Sequence, residues 1–337
     1  MTLSLVLFFI FGTLASHAIS RTLPEAAIAN KHEQWMARFG RVYENQSEKD
    51  KRFKIFKDNL EYIENFNNAG NRTYKLSINE FADFTHDEFL AARTGYKKRD
   101  NPTTTTTTSS FRYEAVTEVP TSLDWREKGA VTSVKDQGEC GCCWAFSAVA
   151  AMEGIAQIKT GKLISMSEQQ LLDCSTNGGN EGCNGGWMTN AFQYIIENQG
   201  LTTEENYPYV ETQATCAMEK AQAQVTDISD YEEVPSNDEE ALLKAVTNQP
   251  VSIAIDGSGR DFKFYSEGVF SGECGNSMSH AVTIIGYGTS EDGTKYWLIK
   301  NSWGESWGEN GYMRILRDFD SPEGLCGLAE EASYPTI

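Results

Sequence analysis

The stretch Gln137-Gly138-Glu139-Cys140-Gly141-Cys142-Cys143-Trp144 places three cysteines within four positions, and the apolar run Ala145-Phe146-Ser147-Ala148-Val149-Ala150 follows at once. The pattern predicts a helix over 143–159 that opens on a thiol. Unpaired N–H groups and the helix dipole then face the Cys143 sulfur and favour its anion. A free thiol titrates at about 8.5, and only the thiolate is a good nucleophile. From residue 119 onward the chain holds a single histidine, His280, which is the one candidate base of that region. An imidazole of pKa about 6.5 can accept and return a proton at cellular pH. Asn301, in Lys300-Asn301-Ser302-Trp303-Gly304, is the candidate that orients this base, with Trp303 shielding the polar pair from water. Gln137 and the backbone N–H of Cys143 are candidate donors to a developing oxyanion.

Each part also has a plainer reading. A lone cysteine is more often buried and inert than catalytic, and a lone histidine before an apolar strand is usually a core residue. Cys-Gly-Cys-Cys could bind zinc, but one histidine and cysteines suited to disulfides argue against it, and no metal or other cofactor is expected. A thiol-redox protein and a non-catalytic peptide binder stay open as rivals. Equal, slow alkylation of Cys142 and Cys143 would mark the redox reading, and a lost nucleophile or base would mark the binder.

The net charge of −19 is uneven: residues 119–337 carry 33 acidic and 13 basic side chains, and residues 1–118 carry 15 and 16. An acidic surface disfavours nucleic acid and anionic membranes as partners. All eight cysteines also lie after residue 119. The apolar run from Leu3 to Leu14 is shorter than the roughly 20 residues a membrane span needs, and residues 1–20 read as a cleaved secretory signal. Behind such a signal the cysteines suggest disulfides, whose pairing the spacing leaves undetermined. Residues 25–67 have a helical pattern in which Glu48, Arg52, Phe56, Asn59, Ile63 and Asn67 share one face, and Asn79-Glu80-Phe81-Ala82-Asp83 follows. Asn101-Pro102, Thr103 to Thr108 and Ser109-Ser110 read as an exposed, cleavable linker. Asn45 and Asn71 head N-glycan sequons. Beyond the linker a helical half precedes a half with strand patterns at 251–256, 281–287, 296–300 and 312–317.

These residues resemble the papain-like cysteine proteases in their prepro form, most closely the plant senescence-associated group. The resemblance covers nearly the whole chain. It implies an α+β, two-lobe papain-like fold: a helical lobe and an antiparallel β-barrel-like lobe with the active-site cleft between them, preceded by a helical prosegment. It divides the chain into a signal peptide at 1–20, an inhibitory prosegment with the threonine linker at 21–118, and a mature peptidase at 119–337. It implies a cysteine endopeptidase made as a zymogen, with Cys143 as nucleophile, His280 as acid/base, Asn301 as its orienting partner and Gln137 in the oxyanion hole. It further implies disulfides Cys140–Cys183, Cys174–Cys216 and Cys274–Cys326, which leave Cys142 as a second free thiol. Gly185 and Gly186 match the segment that pairs with an extended substrate. Trp187, Met188, Ala254 and Glu331 match a side-chain pocket, with Trp303 nearby. The six-residue helix face, with Asn79, Phe81 and Asp83, matches the inhibitory motifs of the prosegment. Expected partners are protein and peptide substrates, the chain's own prosegment and cystatin-like inhibitors, for a monomer in the secretory pathway, a vacuole or lysosome-like compartment, or outside the cell. Three positions depart from the family pattern: Cys142 where serine is common, Ser279 where Asp or Asn is common, and Ser77 where glycine often stands.

Overall fold

The computed structural model describes residues 24–97, 111–275 and 277–337. The expected signal peptide and the threonine-rich stretch of the linker lie outside these residues. Helices α1 (Glu25–Phe39) and α2 (Gln46–Asn68) replace the single helical stretch expected over 25–67. The break has a local cause. Gly40 closes α1 at φ +62°, a conformation that glycine adopts without strain, and the Asn45 side chain opens α2 by accepting the Glu48 N–H at 3.0 Å. Helix α1 belongs to a unit ending at Val42, within which His32 stacks on Trp35.

From Tyr43 onward the chain forms a second unit. After α2 come β1 (Tyr74–Leu76), α3 (His86–Arg93), β2 (Leu123–Asp124), α4 (Cys143–Thr160), α5 (Glu168–Cys174), α6 (Met188–Glu197), α7 (Met218–Ala221), β3 (Asp230–Glu233), α8 (Glu239–Asn248) and β4 (Val251–Ile255). The remainder is α9 (Arg260–Phe264), β5 (Tyr265–Phe270), β6 (His280–Thr289), β7 (Lys295–Lys300), β8 (Tyr312–Leu316) and β9 (Ala332–Thr336). The sheet runs β1-β5-β8-β7-β6-β4-β9-β3, with β2 also paired to β6. The barrel-like lobe is therefore an open sheet. One of its pairs is parallel, because β5 meets β8 only after the chain has passed through β6 and β7, a crossover and not a hairpin. Strand β4 reads as alternating in sequence, yet all five residues are buried. Its serine is accommodated because Ser252 Oγ donates to the Ser147 carbonyl of α4 at 2.9 Å.

Helix α4 is buried on nearly every side. It also carries a buried carboxylate, Glu153, which accepts from Lys135 Nζ at 3.0 Å, Thr132 Oγ1 at 2.6 Å and the Met166 N–H at 2.9 Å. Disulfides join Cys140 to Cys183, Cys174 to Cys216 and Cys274 to Cys326. Bridges closing loops of this size stabilise by about 2–4 kcal/mol each. Among the described residues no helix is long and apolar enough to cross a membrane.

The segment before the linker is built into this framework. Strand β1 adds to the edge of the sheet beside β5. The expected face of α2 points inward: Phe56, Asn59 and Ile63 are buried, and Arg52 pairs with Glu48 at 2.7 Å and Glu88 at 2.8 Å. Asn67 exchanges two hydrogen bonds with the backbone of Leu76. Asn79 donates to the Lys263 carbonyl at 2.7 Å, Phe81 is fully buried, and Asp83 accepts from the Tyr43 hydroxyl at 2.8 Å. At position 77 no glycine is needed: the φ of Ser77 is not positive, its side chain is exposed, and its N–H donates to the Phe264 carbonyl. Asn45 and Asn71 are both exposed. The buried Asn59 amide donates to the carbonyls of Ala82 and Phe84 at 2.8 and 3.2 Å. Asn59→Ala removes a donor from the buried Ala82 carbonyl, leaves the Phe84 carbonyl its bond from Lys263 Nζ, and should cost about 1–3 kcal/mol. Differential scanning fluorimetry of the unprocessed chain should show a lower Tm, with no change in the Tm of the product that lacks residues 1–118.

Candidate active site

Three elements carry the candidate residues. Cys143 is the first residue of α4, His280 is the first residue of β6, and Asn301 directly follows β7. Helix α4 is locked against β6 by Ser147, one turn beyond Cys143. Its Oγ donates to the Val282 carbonyl at 2.7 Å, and its own carbonyl accepts from Thr283 and Ser252. The helix that opens on the thiol and the strand that opens on the imidazole are thus bonded directly to each other. The backbone N–H groups of Ala281, Trp144 and Gly95 lie against the Cys143 sulfur.

His280 is fully buried, and its Nε2 meets Asn301 Oδ1 at 2.8 Å. The oxygen can only accept, so Nε2 carries the proton there and Nδ1 is left as the free base of the neutral ring. Nδ1 is buried without a hydrogen-bond partner. Trp303, itself fully buried, stacks on the imidazole at 4.5 Å between centroids and 27° between planes. Gln137 is held from several directions. Its N–H donates to the Ser302 carbonyl at 2.9 Å, its Oε1 accepts from Ser302 Oγ at 2.7 Å, and its Nε2 donates to the Cys140 carbonyl at 2.9 Å.

The segment Arg93 to Lys97 lies over these groups. The Arg93 carbonyl accepts from Trp303 Nε1 at 3.2 Å and Gln137 Nε2 at 3.4 Å. The N–H groups of Gly95 and Tyr96 both donate to the Ser279 carbonyl, and Gly186 donates back to the Gly95 carbonyl at 3.0 Å. Gly185 follows the Cys183 turn at φ +108°, and Trp187 Nε1 donates to the Lys97 carbonyl at 2.6 Å. A Cβ on Gly95 would sit 1.9 Å from the Gly141 carbonyl oxygen, so only glycine lets the segment pass this close to the loop before Cys143. The Tyr96 ring joins the apolar cluster of Met188, Ala254 and Ala281, and its hydroxyl donates to Glu331. Of the four residues expected to line a pocket, Glu331 bonds to Tyr96, Trp187 bonds to the Lys97 carbonyl, and Met188 and Ala254 share the Tyr96 cluster.

Burial sets the charge state. Desolvation pushes the Cys143 thiol up to about 12, against the opposing pull of the Ala281, Trp144 and Gly95 N–H groups. Desolvation also lowers His280 to about 4, and the Asn301 hydrogen bond only partly offsets it. Between these values both groups are neutral.

Sequence reasoning missed several supporting residues. Ser302 fixes Gln137, Lys135 and Lys300 flank the Glu153 carboxylate, and Glu168 accepts from Lys135 at 2.6 Å. One signal was present: an acid at 153 within an otherwise apolar helix needs a buried cation. Tyr209 gave no such signal. Cys142, left unexplained by the sequence, is fully buried with its sulfur 3.0 Å from the Tyr209 hydroxyl. Among the described residues no group of His, Cys, Asp and Glu is arranged to hold a metal ion.

Residues 119–336 match the family described as papain family cysteine protease, and residues 32–89 match the cathepsin propeptide inhibitor domain. The chain is 52% identical to the senescence-specific cysteine protease SAG39 of Oryza sativa subsp. indica, covering 98% of both chains. It is 55% identical to the senescence-specific cysteine protease SAG12 of Arabidopsis thaliana, over 96% of this chain and 94% of that one. Among solved structures it resembles a recombinant stem bromelain precursor, with TM-score 0.83, 43% identity and coverage of 92% and 99%. It also resembles the proform of the ragweed pollen allergen Amb a 11, with TM-score 0.84, 41% identity and coverage of 93% and 96%.

The burial predicts a difference between the intact and the processed chain. In the intact chain, iodoacetamide should label Cys143 at least about a hundredfold more slowly than after removal of residues 1–118, with the rate still rising at alkaline pH. Once the segment is gone, labelling should reach its plateau below the ordinary thiol value of about 8.5. Peptide mapping by mass spectrometry reads both rates.

Proposed function

The chain belongs to the papain family of cysteine proteases, and from that premise we propose that its endopeptidase activity runs through Cys143, His280, Asn301 and Gln137. The protein is a cysteine endopeptidase made as a zymogen, with an N-terminal inhibitor domain. The observation that carries the residue assignment is the buried, unpartnered Nδ1 of His280, on a ring whose other nitrogen is committed to Asn301. When the Arg93–Lys97 segment leaves, water reaches the pair and the thiol proton passes to Nδ1. The thiolate attacks the peptide carbonyl carbon, and the negative charge that moves to oxygen is met by Gln137 Nε2–H and the Cys143 N–H. The imidazolium gives its proton to the departing amine as the C–N bond breaks. A water then loses a proton to His280 and attacks the thioester, releasing the acid and restoring the thiolate.

On the same reading, Gly186 is the backbone partner of an extended substrate, with Gly185 shaping the turn before it. Trp187, Met188, Ala254 and Glu331 form the side-chain pocket that Tyr96 fills in the zymogen. The domain limits are a signal peptide at 1–20, a prosegment at 21–118 and a mature enzyme from 119. Asn45 and Asn71 are the glycan sites, and the enzyme is a monomer open to cystatin-like inhibitors. The route is secretory, to a vacuole or lysosome-like compartment or the cell exterior; three disulfides and two exposed sequons support it.

Acid should release the prosegment. Burial raises the Glu88 carboxyl, but the Thr85 N–H and the Arg52 guanidinium outweigh it, so Glu88 stays below its ordinary value. A carboxylate lowered in this way stabilises the folded prosegment above about pH 4.3, and that contribution is lost as pH falls through its lowered value. Incubation of the purified zymogen at about pH 4 should yield a product beginning near residue 119, seen by N-terminal sequencing. Cys143→Ala zymogen should remain intact under the same conditions; self-processing by that variant would refute the assignment. Glu331→Ala should lower the cleavage of substrates with Arg at the second residue before the cut, relative to Phe or Leu. A fluorogenic peptide series with an unchanged ratio would remove Glu331 from the pocket.

A further inference from the structure

Gln137 has one anchor that the sheet side does not supply. Its carbonyl accepts from the Tyr209 hydroxyl at 2.6 Å, and the same hydroxyl lies 3.0 Å from Cys142 Sγ. The phenol has one proton, and a carbonyl can only accept, so that proton is committed to Gln137. The contact with Cys142 must then run the other way, from S–H to the phenol oxygen. Cys142 is suited to this direction. It is fully buried, and burial pushes its thiol well above the ordinary range, so it keeps its proton whenever the enzyme works. Tyr209 is itself held firmly, with its ring edge-on to Phe146 at 4.9 Å and its N–H donating to Glu204 at 2.8 Å. Phe146 and Cys142 both belong to the start of the helix that carries Cys143. The oxyanion loop is therefore tied to the nucleophile helix through Tyr209, and to the histidine side through Ser302.

We propose that the hydrogen-bonded series from Cys142 through Tyr209 to the Gln137 carbonyl positions the oxyanion donor relative to the nucleophile, so that Tyr209 and Cys142 are positioning residues for peptide hydrolysis. The inference rests on the assignment of Gln137 to the oxyanion hole. It gives the middle cysteine of the opening cluster a role as a fixed donor and not as a second nucleophile.

The test uses full-length zymogen variants activated to the mature enzyme, with kcat and KM for a fluorogenic peptide and Tm for each. Tyr209→Phe keeps the ring but removes the hydroxyl. It should lower kcat about tenfold with KM within about twofold, as a misplaced transition-state donor would. Cys142→Ala should lower kcat by a smaller factor, about threefold, again with KM held, and Cys142→Ser should restore it because a hydroxyl also donates. A fall in Tm with kcat unchanged in Tyr209→Phe would overturn the proposal, as would equal kcat for Cys142→Ala and Cys142→Ser. Should Tyr209→Phe fail to fold, the Cys142 pair alone decides. Gln137→Ala separates the two layers. If it leaves kcat intact, the oxyanion assignment itself is wrong; if it lowers kcat while the Tyr209 and Cys142 variants do not, only the positioning proposal fails.

Discussion

One hydrogen bond and one ring stack hold the imidazole of His280, and much of the structure serves that ring. Asn301 fixes Nε2 at 2.8 Å, and Trp303 lies flat against the ring at 4.5 Å. Trp303 is in turn braced edge-on by Phe262 at 5.6 Å and Trp307 at 5.2 Å. The backbone around it ties back to the loop that carries Gln137, through the bridge between Asp136 and Trp303 and through Ser302. With the ring fixed by these neighbours, Nδ1 has a single orientation. The Ser147 contacts hold the helix that opens on Cys143 against the strand that opens on His280.

The inhibitory segment uses the same indole. Phe81 and Phe89 pack edge-on against Trp303 at 5.9 and 5.2 Å, and the Arg93 carbonyl accepts its N–H. The prosegment thus grips the residue that stacks on the His280 ring, and then runs across the cleft to Lys97. On the proposed assignment, inhibition has two physical parts: the backbone and pocket partners of the substrate are occupied, and burial holds the reacting pair neutral. The second part explains why a helix start that favours a thiolate can nevertheless carry a protonated thiol in the intact chain.

The endopeptidase reading was legible because the residues proposed to carry it are rare ones. A lone histidine beyond position 119 and a thiol at a helix start leave little choice of partners, and the family resemblance supplied Asn301, Gln137 and the prosegment face. The fold class was legible in outline, through the switch from helical to strand periodicity. What the sequence concealed has local causes. Gly40 divides a pattern that periodicity reads as continuous. The sheet stays open, with β5 parallel to β8, because strand order depends on long-range pairing that no local pattern encodes. Ser252 imitates an outward position in β4 but bonds to a helix carbonyl inside. Tyr209 and Ser302 act through their hydroxyls on Gln137 far away in sequence, one on its carbonyl and one on its side chain, and neither carries a compositional mark.

The central claim is that prosegment burial holds His280 neutral and that its removal creates an imidazolium paired with the Cys143 thiolate. His280 is the only histidine from residue 119 onward, so a histidine-labelled mature enzyme gives one imidazole signal. An NMR pH titration of that signal, in the zymogen and after maturation, is the direct measurement. The account predicts a ring that stays neutral in the zymogen down to about pH 4, and in the mature enzyme an imidazolium that persists well above the ordinary value of about 6.5. A His280 that titrates at about 6.5 in both forms would contradict it.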